Sequence, residues 1–139
     1  MKKGKLLNSS ISSVISKLGH TDMITVCDSG LPIPNGVERI DLALTLGIPS
    51  FIETLEIVLA EQFVEVITIA KEFKENNLKV YNEMIEIIKK VEKEQGNIIK
   101  IIEVSHEEFK VLTNDSKAIV RTGEITPYSN IILHSGVVF

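Results

Sequence analysis

The chain has 139 residues, of which 44% are hydrophobic and 5% aromatic, and this composition predicts one domain spanning residues 1–139 with a single ordinary core. Its formal net charge is -4, with 15 basic residues scattered among 19 acidic ones, so the basic surface that nucleic acid requires is missing. No stretch approaches the roughly 18 consecutive apolar residues that a membrane-spanning helix needs, which excludes a membrane as a predicted partner.

The chain opens with a predicted short helix. Apolar residues recur at helical spacing over residues 11–18, and residues 8–10 offer an N-cap. Gly19 is the predicted stop, so His20 should follow directly after the helix.

The next segment predicts a strand, a loop and a second strand. A β-prone run at Met23–Cys27 ends at turn residues, which places Asp28 at the carboxyl end of the first strand. Residues 31–36 contain two prolines and an Asn-Gly pair, so they predict a stiff loop. Residues 39–46 predict the second strand.

The middle of the chain predicts two helices with a strand between them. Ser50 and Glu53 have the spacing of a capping box that starts a helix. Residues 63–70 are rich in β-branched side chains and predict a strand, with continuation of the preceding helix as the alternative. Residues 77–95 predict the longest amphipathic helix. Its predicted buried face comprises Leu78, Tyr81, Ile85, Ile88 and Val91.

The last third predicts three strands and one short helix. Residues 98–104 form a strongly apolar strand, and a capping box at residues 105–108 should open a helix at His106. Residues 118–120 and 130–133 predict the closing strands. Strands and helices therefore alternate, which is typical of the α/β class. We expect a mixed, mostly parallel β-sheet covered by helices.

Two histidines occur where predicted elements end, His20 after the first helix and His106 at a junction between strand and helix. Ligands usually bind at the carboxyl ends of strands in open α/β sheets, so this position favours both residues as parts of a site. The alternative is that each one only caps local backbone at the surface. Asp28 has the same placement, but an aspartate before Ser-Gly is also an ordinary turn former.

Three further residues are candidates for binding a polar ligand. Lys110 lies four residues after His106, so a helix would bring both side chains to one face, although a solvated lysine is the commoner arrangement. Tyr128 and Asn130 place a phenol and an amide together at the start of a strand, as the hydroxyls of a sugar require. His134 lies within the last strand region and is interpreted as a strand residue rather than a catalyst.

The single cysteine, Cys27, cannot form an internal disulfide and has no cysteine or histidine neighbours at metal-binding spacing. It predicts a reducing compartment, the cytoplasm, and no bound metal. Motifs for nucleotide, dinucleotide and zinc-protease chemistry are also missing, so functions of these three kinds lose their usual sequence support.

Several stretches together carry a family resemblance. They include Gly19-His20-Thr21-Asp22, Val26-Cys27-Asp28, Gly30-Leu31-Pro32-Ile33-Pro34, His106-Glu107 and Pro127-Tyr128, of which the first three are the most specific. Through them the whole chain resembles the ribose pyranase and fucose mutarotase family, in its ribose branch. The resemblance implies a cofactor-free isomerase that converts β-D-ribopyranose into β-D-ribofuranose for phosphorylation by ribokinase.

The resemblance also implies roles for single residues and an assembly. His20 matches the family's catalytic acid. The residues that match sugar contacts are Asp28, His106, Tyr128 and Asn130, with Lys110 as a further contact. The family forms ring-shaped homo-oligomers, typically decamers of two stacked pentamers.

Alternatives remain at three points. The substrate could be another sugar such as fucose, whose hydroxyls need different contacts. The chain could instead be a sugar-binding module without catalysis, against which an intact His20 argues. Asp28 could orient His20 or hold a sugar hydroxyl.

Overall fold

The computed structural model describes residues 1–139, which form six strands and five α-helices around one sheet. In chain order the elements are α1 (Ser9–Ile15), β1 (Met23–Cys27), β2 (Glu38–Asp41), α2 (Phe51–Leu59), β3 (Val64–Ala70), α3 (Lys71–Asn76), α4 (Leu78–Gln95), β4 (Lys100–Val104), α5 (His106–Leu112), β5 (Ala118–Arg121) and β6 (Ile131–Ser135), with a 3-10 turn at Thr113–Asp115. No helix is both long and apolar enough to cross a membrane.

The strand order is β2-β5-β1-β6-β3-β4. Five strands run in the same direction, and β6 runs antiparallel to both of its neighbours, β1 and β3. The predicted α/β class with a mixed, mostly parallel sheet is therefore confirmed. Because β6 is reversed, its amino end lies beside the carboxyl end of β1, and this decides which loops meet.

Helices cover the two faces of the sheet unequally. One face packs against α1, α2, α3 and α4 and forms the larger core, because alternate strand residues all point to that side. The opposite face forms a smaller cluster around α5, in which Phe109 packs on Cys27, Ala70, Ile119 and Ile132. Both clusters are fully apolar, so burial of this surface is the main stabilising contribution to the fold.

The local signals for helix starts are confirmed. Ser50 and Ser105 each accept a hydrogen bond from the backbone N–H three residues on, and Glu53 and Glu108 reach back to the cap, so both capping boxes are complete. The N-cap of α1 is Asn8, whose Oδ1 accepts from the N–H of Ile11 at 2.9 Å. The strand predicted at residues 63–70 is β3, so the preceding helix does not continue.

Two boundaries and one helix differ from prediction. Helix α1 ends at Ile15, because Lys17 and Leu18 already donate to carbonyls three residues back and tighten the chain into a turn. Strand β2 ends at Asp41, whose carboxylate accepts from the N–H of Ala43 at 3.0 Å and turns the backbone. Helix α3 had no prediction; it is anchored by the fully buried ring of Phe73.

One prediction of burial was wrong. Leu78 is 54% exposed, because tertiary packing selects a neighbouring stripe of α4. The buried residues of α4 are Val80, Met84, Ile87, Ile88 and Val91. The apolar strand predicted at residues 98–104 is β4, which is the last strand of the sheet and leaves Ile101 40% exposed.

Candidate active site at the carboxyl end of the sheet

A cavity of about 320 Å³ lies at the carboxyl ends of the parallel strands. Its walls are residues 28–32 after β1, His106 at the start of α5 and residues 124–128 between β5 and β6. Ligand sites of open α/β sheets occupy this edge, where loops rather than regular elements meet. The cavity brings together four of the predicted site residues, which are Asp28, His106, Tyr128 and the adjoining Asn130.

Asp28 and Asn130 form a reciprocal pair in the floor of this cavity. The Oδ1 atom of Asn130 accepts from the backbone N–H of Asp28 at 2.9 Å, and its Nδ2 atom donates to Asp28 Oδ2 at 3.1 Å. Asp28 Oδ1 also accepts from the N–H of Gly30 at 3.0 Å. Asn130 is fully buried, so the pair holds the carboxylate in one orientation.

Burial raises the pKa of the Asp28 carboxyl above its ordinary value. The hydrogen bonds from Gly30 and Asn130 act in the opposite direction but do not overcome the desolvation. A half-buried carboxyl with a raised pKa is a common feature of sites that exchange protons or bind hydroxyl groups.

His106 and Tyr128 form the aromatic side of the cavity. Their ring centroids are 5.0 Å apart at an interplanar angle of 86°, and the His106 ring also stacks on Phe109. Atom Nδ1 of His106 is buried without a hydrogen-bond partner in the protein, a state that few buried polar atoms of folded proteins show. Tyr128 has a φ of 64°, a conformation that bulky residues rarely adopt and that marks functional sites.

Glu124 organises this cavity and was missed by the sequence analysis. Its Oε1 atom accepts from the N–H of Ile125 and from both the N–H and the hydroxyl of Thr126, and its Oε2 atom accepts from the N–H of Phe51. Its backbone carbonyl accepts from the N–H of Ser29. Glu124 thereby ties the loop of Tyr128 to the loop of Asp28. The only sequence signal was its position just after a strand, like that of Asp28.

We expect Glu124→Gln to reduce stability at pH 7 by about 2 kcal/mol, since an amide cannot satisfy all four donors. Burial acts to raise the pKa of Glu124, but the hydrogen bonds from Thr126, Phe51 and Ile125 outweigh it, and the pKa lies below its ordinary 4.5. A lowered pKa adds stability above about pH 4.5, and this contribution is lost as pH falls through the folded-state pKa.

Urea unfolding between pH 7 and pH 3 measures both effects. The native chain should lose more stability over the acid range than Glu124→Gln. The control is Glu94→Gln, which removes the same charge from an exposed position on α4. Parallel stability curves for the native chain and Glu124→Gln would contradict the prediction.

Lys110 lies one turn after His106 on α5 but does not line the cavity. Its Nζ atom forms an ion pair with Glu107 Oε1 at 2.7 Å. His134 is a half-buried residue of β6, in line with its interpretation as a strand residue, and its Nε2 atom is 2.9 Å from Thr68 Oγ1. No group of three or more His, Cys, Asp or Glu side chains is arranged to hold a metal ion.

His20 lies at the opposite end of the sheet from the cavity. It precedes β1, whereas Asp28 follows β1, and the strand carries the chain about 20 Å between Asp22 and Asp28 at about 3.3 Å per residue. The N–H of Thr21 donates to Ser135 at the far end of β6. No side chain bridges such a distance, so within one chain Asp28 does not orient His20.

The carboxylate beside His20 is that of Glu65 on β3. Atom Nε2 of His20 lies 3.0 Å from Glu65 Oε2, and the hydrogen bond between them lowers the pKa of Glu65. The side chain of His20 is 54% exposed, so the histidine is open to a second molecule.

Comparison with known proteins places the chain among sugar-handling relatives. It is 55% identical to the D-ribose pyranase of Haemophilus influenzae and 53% identical to that of Histophilus somni, over 139 residues and 100% of each chain. A solved structure of Bacillus subtilis RbsD complexed with D-ribose superposes with a TM-score of 0.88 at 42% identity, covering 100% of both chains. The sequence profile of the RbsD / FucU transport protein family matches residues 1–138. The chain therefore belongs to the RbsD / FucU transport protein family.

Proposed function

We propose that this chain is an isomerase that interconverts the pyranose and furanose forms of D-ribose. The observation that carries the proposal is the similarity to two D-ribose pyranases. The alignments cover the full length of this chain and of each relative, at 53% and 55% identity. The cavity at the carboxyl end of the sheet supports it, because its groups suit a small polyhydroxylated ligand.

The cavity offers the sugar both acceptors and donors. Asp28, His106 and Tyr128 line it and supply a carboxylate, an imidazole and a phenol hydroxyl. Asn130 uses its amide mainly to hold Asp28, with one Nδ2 hydrogen left over. Lys110 is a further contact if its ion pair with Glu107 opens.

The proposed reaction consists of proton transfers around the anomeric carbon. A proton is delivered to the ring oxygen O5 while another leaves the anomeric hydroxyl, so the C1–O5 bond breaks and the open aldehyde forms. After rotation, hydroxyl O4 attacks C1 and loses its proton, while the C1=O1 double bond becomes single and O1 takes up a proton, so the C1–O4 bond closes the five-membered ring. Histidine suits these steps, because its ordinary pKa lies near neutral pH. The product is the furanose form that ribokinase phosphorylates.

We assign the proton donor to His20 of a second copy of the chain. One chain holds His20 and the cavity at opposite ends of the sheet, and His20 is exposed. A ring in which each copy presents its His20 end to the cavity of the next copy completes every site, since head-to-tail contacts close into rings. We propose a homodecamer of two stacked pentameric rings. We also place the enzyme in the cytoplasm, which suits a fully buried, unpaired Cys27.

Magnetisation-transfer NMR on ribose at equilibrium tests the proposed activity. Protein at sub-stoichiometric concentration should speed exchange between pyranose and furanose signals without changing their ratio, because a catalyst changes only the barrier. Tight ribose binding with unaltered exchange would support a sugar-binding module instead. Exchange of fucose anomers at a rate above that of ribose would support a fucose mutarotase.

We expect Asn130→Ala to weaken ribose binding by about tenfold, since the variant leaves the N–H and carboxylate of Asp28 without their buried partner. Titration calorimetry measures the affinity, and exchange NMR at saturating ribose should show a smaller change in rate. Asn76→Ala, which removes an exposed amide from α3, is the control. Native affinity in Asn130→Ala would mean that Asp28 is held by its own loop alone.

A further inference from the structure

The carboxylate nearest to His20 belongs to a residue that carries no assigned role. Glu65 Oε2 lies 3.0 Å from His20 Nε2, but both side chains are partly exposed, at 38% and 54%. Ion pairs between exposed residues are often incidental, because two mobile side chains must be ordered to form them. A functional pair therefore needs evidence that the backbone itself holds the carboxylate in place.

The backbone of β3 provides the first such evidence. Val64 pairs with Ser135 and Val66 pairs with His134, so two residues of β3 advance against one of β6, and Glu65 is the extra residue of a β-bulge. A bulge interrupts the alternation of side chains along a strand and redirects the residue it contains. Glu65 therefore points toward the His20 turn because of an irregularity at this one position.

The segment after β6 provides the second piece of evidence that the backbone holds the Glu65 carboxylate in place. A Cβ atom at Gly136 would lie 2.4 Å from the Glu65 side chain, so only glycine lets the two segments approach this closely. The N–H of Val137 points at Glu65 Oε1, at 3.4 Å. Glu65 is thus flanked by Gly136 and Val137 on one side and by His20 on the other.

Two other charged groups near this turn are paired with each other. Asp22 accepts from the N–H of Gly19 at 2.9 Å and forms an ion pair with Lys117 at 3.3 Å. Neither group competes with Glu65 for the imidazole. The contact between Glu65 and His20 is therefore the only charged contact that the ring makes within its own chain.

We propose that Glu65 is the positioning residue of His20, which fixes the ring so that Nδ1 is the atom that exchanges a proton with the sugar. An ionised carboxylate only accepts hydrogen bonds, so Nε2 must carry the hydrogen toward Glu65, and the neutral ring keeps its lone pair on Nδ1. This assignment rests on the proposed function for its catalytic meaning, whereas the ring state itself does not depend on it.

Nitrogen-15 NMR of the histidine rings tests the assignment without measuring activity. At a pH where His20 is neutral, its native signals should be those of the Nε2–H tautomer. Glu65→Gln should reduce this preference, since an amide either accepts from Nε2–H or donates to bare Nε2. Gly136→Ala should act in the same direction by displacing Glu65 while leaving every charge intact. A native Nδ1–H tautomer, or an unchanged tautomer in both variants, would overturn the proposal.

Exchange NMR then separates this assignment from the proposed function. Glu65→Gln should slow ribose exchange about tenfold, through loss of orientation, with ribose affinity changed less than twofold. Glu94→Gln is the matched charge control, because Glu94 lies on the exposed side of α4. If Glu65→Gln exchanges ribose as fast as the native chain does, the role of Glu65 is refuted and the proposed function is not. Absence of exchange in the native protein would refute the proposed function, and the tautomer would still report on the Glu65 contact.

Discussion

His20→Ala is expected to slow exchange between ribose pyranose and furanose by about 10²-fold or more, the usual effect of losing a general acid–base group. Ribose affinity should stay within roughly tenfold, because the cavity groups at the other end of the sheet are untouched. Magnetisation-transfer NMR measures the exchange, and calorimetry measures the affinity.

The matched control is His134→Gln, which replaces a second histidine and keeps a polar partner for Thr68. Its exchange rate should remain close to native. If His20→Ala retains near-native exchange, the proton donor has been misassigned. His106 then becomes the next candidate, because it is the histidine that lines the cavity.

Mixed assemblies of two impaired variants are expected to recover activity. His20→Ala removes the donor half of each site, and His106→Ala removes part of the cavity half while leaving the backbone hydrogen bond to Glu72 in place. At ribose concentrations below saturation, the exchange rate of each variant alone should be at least about tenfold lower than that of the native chain. In assemblies formed from equal amounts of both, about a quarter of the sites join two intact halves, so about a quarter of native exchange should return.

Differently tagged variants, mixed under denaturant and refolded together, provide this measurement. Native mass spectrometry verifies that single assemblies contain both tags, and light scattering gives the assembly size relative to the 15.5 kDa chain. Each variant refolded alone is the control. If verified mixed assemblies show no recovery, or if the chain is a monomer at micromolar concentration, the site is complete within one chain and the assignment of His20 to a second copy is wrong.

Local chemistry in the sequence determined most of the elements. The two capping boxes, the strand Met23–Cys27 and the stiff loop after it depend on residues within a few positions of one another. Predictions from such local patterns agree with the folded structure, because hydrogen bonds between close neighbours depend little on the rest of the chain. They also placed Asp28 and His106 at strand ends, which is why both reach the cavity.

Burial was less predictable, because it depends on which elements become neighbours. The apolar strand β4 lies at an edge of the sheet, and α4 buries the stripe of Met84 rather than that of Leu78. More than one helical stripe in α4 is apolar enough to be buried. Packing against the sheet and the neighbouring helices selects one of them.

The sequence by itself determined the class of the fold, the family and the types of residue that a sugar site needs. Only the tertiary structure decided how they meet. Because β6 runs antiparallel to β1, Asn130 at its amino end reaches Asp28, while Ser135 at its carboxyl end reaches the His20 turn. Strand β1 separates His20 from the cavity, and the pairing of β3 with β6 brings Glu65 to the same end of the sheet as His20. These contacts join residues 45 or more positions apart, which no local signal encodes.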